Sequence, residues 1–197
     1  VIFSQEVKWM SIGDLHNWYS AAGSEIEVGR TGQVSDQQDG LRYPAFYRVQ
    51  DNQAAKGLWL GASNFYDPVV NKNYDKKVVH AGPRHLDIEN ETMPVKLTMD
   101  GKYDHPNVFV DGDPATNLQY LDYVDNVNPS LESDRKINNI VQTSLGVQMK
   151  RTIYAFAHPD HQNYHIQEYV FTNNGCFDKD CNTFYEQTLE GFQVYLQ

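Results

Sequence analysis

The stretch Leu145-Gly146-Val147-Gln148-Met149-Lys150-Arg151-Thr152-Ile153-Tyr154-Ala155-Phe156 decides the fold class. Leu145, Val147 and Met149 alternate with small or polar residues, and Ile153, Tyr154 and Phe156 continue the pattern after the basic pair at 150 and 151. A two-residue period is that of a strand with one buried face, and the interruption predicts a β-bulge near Lys150. His158, Pro159 and Asp160 end it. Two more strands follow, over Tyr164 to Thr172, apolar on both faces, and over Thr188 to Leu196, joined by a Gly/Asn/Asp-rich loop. Three neighbouring antiparallel strands predict a mainly β fold: an antiparallel β-sandwich with long polar loops and little helix. Because the chain stops inside the third of these, the expectation is that more sequence follows or that another chain completes the sheet.

Upstream, the same signals recur at lower density. Leu58 to Ala62 reads as a buried strand, with Gly57 and Gly61 marking bends or close backbone approach. Val78 and Val79, then Val95, Leu97 and Met99, then Val108 to Val110 read as further strands bounded by Pro, Gly or Asp. The last stops at Asp111-Gly112-Asp113-Pro114, a turn signal that opens an acidic loop reaching Asp134. Ser133, Asp134 and Arg135 suggest a brief helix there, and Trp9, Ile12, Leu15, Trp18 and Tyr19 a short helical turn near the start. Arg30 to Gly40 has no periodic apolar face and reads as an exposed loop. These signals divide the chain into an extension over 1–30 and a sandwich domain over 31–197. The opening Val1-Ile2-Phe3-Ser4-Gln5 fits either the tail of a secretory signal or a first strand.

Composition narrows the partners. With 16 basic and 26 acidic side chains the formal charge is −10, which disfavours nucleic acid and anionic membrane surfaces. No apolar run of about 18 residues exists, so no membrane-inserted helix is expected. Aromatics make up 13% of the chain, with 13 Tyr. Two cysteines, Cys176 and Cys181, are spaced to close a small local disulfide in an oxidising compartment, with free cytosolic thiols as the alternative.

No Ser elbow, phosphate loop, dinucleotide fingerprint or zinc-protease helix motif occurs. Asp111, Asp113, Asn117, Asp122 and Asp125 supply oxygen ligands at short spacings, which makes Ca²⁺ the one cofactor expected; a solvated loop with Asx turns is the competing reading. Asp178, Asp180 and Asn182 form a weaker calcium pattern. His158, His161 and His165 cluster near Asp160, and three imidazoles suit zinc, although surface histidines explain them as well. His80 and His85 bracket a predicted turn. Glu25 with Glu27, or Glu89 with Glu91, offers carboxylates of the kind a glycosidase needs, on spacings common to any exposed strand. Trp9, Trp18 and Trp59 are the candidate ligand-binding residues, since exposed indoles stack on sugar rings while buried ones fill cores. Asn90-Glu91-Thr92 matches the N-glycosylation pattern.

Four segments carry a resemblance. They are Leu15-His16-Asn17-Trp18 with Gly23-Ser24-Glu25, Gln50-Asp51-Asn52 through Gly57-Leu58-Trp59, His105-Pro106 through Val110-Asp111-Gly112, and the run from Gln167 to Gly175. Together they resemble the N-terminal region of bacterial secreted and cell-surface proteins exported with a C-terminal sorting domain. The resemblance implies an extracellular, multidomain parent and assigns no catalytic residue. Three function classes follow: a structural or adhesive surface module that assembles with copies of itself or with other surface proteins, a calcium-stabilised carbohydrate-binding sandwich, and part of a secreted glycoside hydrolase or lyase.

Overall fold

The computed structural model describes residues 6–26, 40–47, 52–53, 55–81, 91–105, 109–114 and 122–197. Val1 to Gln5, nearly all of the expected Arg30 to Gly40 loop, Glu27, His85, Glu89, Asn90, Val108 and Asn117 lie outside them. Among the described residues the chain is all β, with no helix. A five-stranded sheet runs in the order β10 (Asn126–Val127), β7 (Thr92–Gly101), β11 (Arg135–Thr143), β12 (Val147–Ala155) and β13 (Ile166–Asn173). A three-stranded sheet runs β14 (Glu190–Leu196), β5 (Leu58–Asp67), β6 (Lys72–Ala81). Short pairs complete the fold: β1 (Val7–Met10) with β2 (Asn17–Ser20), β3 (Glu25–Ile26) with β4 (Ala55–Lys56), and β8 (Phe109–Val110) with β9 (Asp113–Pro114).

Alternation sets which face is buried. On β12, Val147, Met149, Arg151, Ile153 and Ala155 all point inward, so the period continues unbroken through the basic pair. The bulge predicted near Lys150 is therefore absent: Lys150 faces Ile140 and Val170 in regular register, and the register shift lies instead between Ile140 and Val141 where β11 meets β7. The inner face is roofed in two pieces. Leu58, Leu60, Ala62, Phe65 and Val79 of the small sheet cover Val141, Val147 and Met149. Met10, Tyr19 and Ala21 cover Leu97, Met99, Ile137 and Ile153. Each Leu, Ile, Val, Met or Phe among them contributes roughly 1.5–3 kcal/mol on burial. Residues expected as an extension thus furnish part of the core.

Both helical expectations are overturned. Trp9 stands opposite Trp18 across the β1–β2 hairpin, and their three-residue neighbours mimic a helical period by coincidence. Asp134 bends the chain into β11: its amide donates to the Ala155 carbonyl and its carboxylate accepts from the Ala157 amide. The strand over Tyr164 to Thr172 is β13, an edge strand apolar on both faces as expected, with Tyr169 and Phe171 half-buried on the inner face and Ile166 and Val170 exposed on the outer. The third strand, β14, leaves that sheet altogether. Gln187 clips the crossing segment to β5, with its side-chain amide donating to the Tyr66 carbonyl (2.9 Å) and its oxygen accepting from the Tyr66 amide (3.3 Å).

Candidate functional site

Of the three tryptophans, two are core. Trp9 and Trp18 are 4% and 5% exposed, with ring centroids 4.8 Å apart, and Arg42 lies over Trp9 at 5.1 Å. They present no surface to a ligand. Trp59 differs because it falls on the outward phase of β5, between the inward Leu58 and Leu60. Register then places Tyr195 of β14 and His80 of β6 directly opposite it, one on each side. Three rings therefore cross the outer face of the small sheet in one row.

Within the row, Trp59 and His80 stack at 4.6 Å with planes 25° apart, so His80 covers one indole face. Tyr195 is 59% exposed. The Glu91 carboxylate anchors His80 by accepting from its backbone amide (3.0 Å) and bonding its Nδ1 (2.9 Å). One step along the strands the row is Gln193, Gly61 and Val78, and with no side chain at 61 it is notched at its centre. A Cβ at Gly61 would meet only the Lys77 carbonyl and a Val78 methyl at 3.6 Å, ordinary contact, so packing does not require glycine there. Ring faces, a notch and flanking amide and carboxylate groups form a surface suited to a flat, hydroxyl-rich ring.

Of the acidic-loop candidates, Asp111, Asp113, Asp122 and Asp125 are described. Asp111 and Gly112, both at positive φ (53° and 90°), make the two-residue turn of the β8–β9 hairpin, with Asp113 exposed beside it. Asp122 is buried and accepts from His105 Nε2 (2.7 Å), whereas Asp125 accepts from Lys8 Nζ (3.0 Å) and the Met99 amide (2.6 Å). Among the described residues no three His, Cys, Asp or Glu side chains form a group able to hold a metal. The Asp178 carboxylate is taken by the amides of Asp180, Asn182 and Thr183, which lowers its pKa. Cys176 and Cys181 are joined in a disulfide beside it. The histidine cluster also separates. His158 and His161 are neighbours at 5.8 Å, while His165 is half-buried and bonds the Tyr19 hydroxyl through Nδ1 at 2.7 Å.

Behind the hairpin lies a buried polar hub. Glu25 accepts from Asn17 (2.6 Å), Gln53 (3.1 Å), Gln167 (2.8 Å) and Lys56 (3.2 Å). Burial alone would raise its pKa, but the Lys56 ammonium and the amide donors outweigh it and hold the carboxyl below its usual range. Burial, aided by Glu25, pushes the Tyr19 phenol well up, and burial brings His165 down to about 4. A carboxylate held ionised by four donors ties β3 to β4, β2 and β13, and is not poised to give up a proton to a substrate. Glu91, the other candidate carboxylate described, engages His80 through Oε2 alone.

No protein-family model, curated protein or solved structure matches the chain. His80 and Tyr195 are the site residues that sequence reasoning missed. Each sits on an outward strand position; His80 meets Trp59 through the β5–β6 hairpin, whereas Tyr195 meets it through pairing with the distant β14, which no local pattern carries.

Proposed function

We propose that this chain is an adhesive module of an extracellular surface protein, and that it holds saccharide on the outer face of its three-stranded sheet. The observation that carries the reading is the in-register row Tyr195, Trp59, His80 beside the Gly61 notch. Aromatic faces take the C–H side of a sugar ring, while Gln193 and Glu91 border them with hydrogen-bonding groups for hydroxyls. The Cys176–Cys181 disulfide supports an oxidising compartment, as does the resemblance to secreted surface proteins. Calcium enters as a variable of the test.

The test is a glycan array followed by calorimetry on the best ligand, each with and without calcium. Binding is expected to a neutral saccharide, and Trp59→Ala is expected to weaken it roughly tenfold or more, about 1.4 kcal/mol. Silence across the array in both conditions, or binding indifferent to Trp59→Ala, removes the reading.

A further inference from the structure

Long sheet edges in natural proteins carry devices that prevent stray pairing: lysine, proline, bulges or extreme shortness. In the two large sheets each edge but one has such a device. β6 bears Lys72, Lys76 and Lys77. β14 has an irregular register between Glu190 and Gln193. β10 is two residues long, and the flank of β7 beyond it holds Pro94 and Lys96. β13 has none of these. Its eight residues, Ile166-Gln167-Glu168-Tyr169-Val170-Phe171-Thr172-Asn173, include no Lys, Arg, Pro or Gly, and Ile166 and Val170 are each 46% exposed. Among the described residues it pairs with β12 alone. An open slot of about 670 Å³, lined by Phe171, Phe184, Phe192, Asn173, Gln187 and Thr188, lies between it and β14.

We propose that β13 pairs antiparallel with β13 of a second copy of this chain about a two-fold axis, joining two five-stranded sheets edge to edge. The register follows from the strand's own chemistry. Residues directly opposite in an antiparallel pair share a face, so pairings offset by one residue mix inner and outer side chains. The inner set is Gln167, Tyr169, Phe171 and Asn173, opposite the buried Ile153, Arg151, Met149 and Val147; the outer set is Ile166, Glu168, Val170 and Thr172. Centring the axis on Val170 places Val170 against its copy, Tyr169 against Phe171, Gln167 against Asn173 and Glu168 against Thr172. Every pair from Gln167 to Asn173 is then matched in character, Ile166 falls opposite Asn174 beyond the strand end, and no like charges are directly opposed. Centring it on Tyr169 instead sets Gln167 against Phe171 and Glu168 against Val170, which matches polar to apolar. The isologous contact closes after two copies. With a formal charge of −10 on each chain, added salt strengthens the pair by screening.

This inference stands apart from saccharide binding and is tested separately, by light scattering and by cross-linking. The wild-type chain is expected at twice its single-chain mass of 22.6 kDa, more fully so in salt. Val170→Lys, which sets two ammonium groups face to face at a half-exposed position, is expected to return the single-chain mass with an unchanged circular dichroism spectrum. Val170→Cys is expected to form a disulfide-linked pair on a non-reducing gel, whereas Thr172→Cys on the same outer face is not. A wild-type chain of single-chain mass at every concentration overturns the proposal, and so does a pair that survives Val170→Lys. Cross-linking of Thr172→Cys as efficient as that of Val170→Cys overturns the register.

Discussion

Asn139 and Arg151 stand directly opposite each other at the centre of the inner face of the five-stranded sheet, and both donate to the same turn. Asn139 Nδ2 reaches the Ala21 carbonyl at 2.9 Å; the Arg151 guanidinium reaches those of Gly23 and Ser20, each at 2.9 Å, and lies over the Tyr19 ring at 5.5 Å. Two polar side chains that interrupt an apolar face thus satisfy the backbone of the turn that brings β2 into β3. Arg151→Met leaves the Gly23 carbonyl without this donor, while the Ser20 carbonyl keeps the Gly23 amide, and is expected to lower stability by roughly 1–3 kcal/mol. Because Asn139→Leu loosens the same turn, the double variant is expected to depart from additivity by about 0.5 kcal/mol or more. Urea unfolding of the four proteins measures both, and a strictly additive cycle contradicts the shared role.

Acid is expected to destabilise the protein in two stages. His165 takes up its proton near 6.5 when unfolded but only at about 4 when buried, so between those values the unfolded chain binds more protons and stability falls as pH falls. The full effect is roughly 3 kcal/mol. Glu25, held below its usual range, adds a loss that begins under pH 4.5 and grows as pH drops through its folded value. His165→Gln keeps a partner for Tyr19 and removes the first stage only. If urea midpoints of the wild type and His165→Gln decline in parallel from pH 6.5 to 4, burial of the neutral imidazole is not the cause.

Filling the notch separates binding from folding. Gly61→Val puts a β-branched residue into a strand with ordinary contacts and is expected to stabilise the chain by about 0.5–1 kcal/mol. The same side chain occupies the space beside Trp59, so saccharide affinity is expected to fall at least as far as with Trp59→Ala. Thermal melts and calorimetry on one sample read both, and retained affinity argues against the notch as part of the surface.

Reduction of the Cys176–Cys181 bond opens a very short loop, worth at most about 2 kcal/mol by chain entropy. The loop also keeps the Cys176–Phe184 bridge and the three amides on Asp178. A Cys176→Ser, Cys181→Ser double variant is therefore expected to fold and to lose less than that figure in urea. Global unfolding on reduction is the contrary outcome.

The all-β class and most strands were legible because one face of each is buried and the other is not. What escaped shares a cause with what Asn139 and Arg151 do. β11 went unread because its inward positions run Ile137, Asn139, Val141 and the polar member in the middle hides the alternation. β12 seemed bulged because Arg151 occupies an inward position that an apolar residue ordinarily fills. A buried polar group that serves a turn 118 or more residues away in sequence cannot announce itself locally. The site was half legible for a similar reason: Trp59 stood out by residue type, but its neighbours in the row are set by tertiary pairing.

A sheet roofed by two separate pieces, with a polar belt running between them, need not come apart in a single event. The hairpin carrying Met10 and Tyr19 and the small sheet pack on separate stretches of it, and the Glu25 hub, bonded to Asn17 of β2 and Lys56 of β4, is the tie that must break before one lifts without the other. Amide exchange would then sort the strands into two tiers of protection, with β11 and β12, which run beneath both pieces, the slowest to exchange.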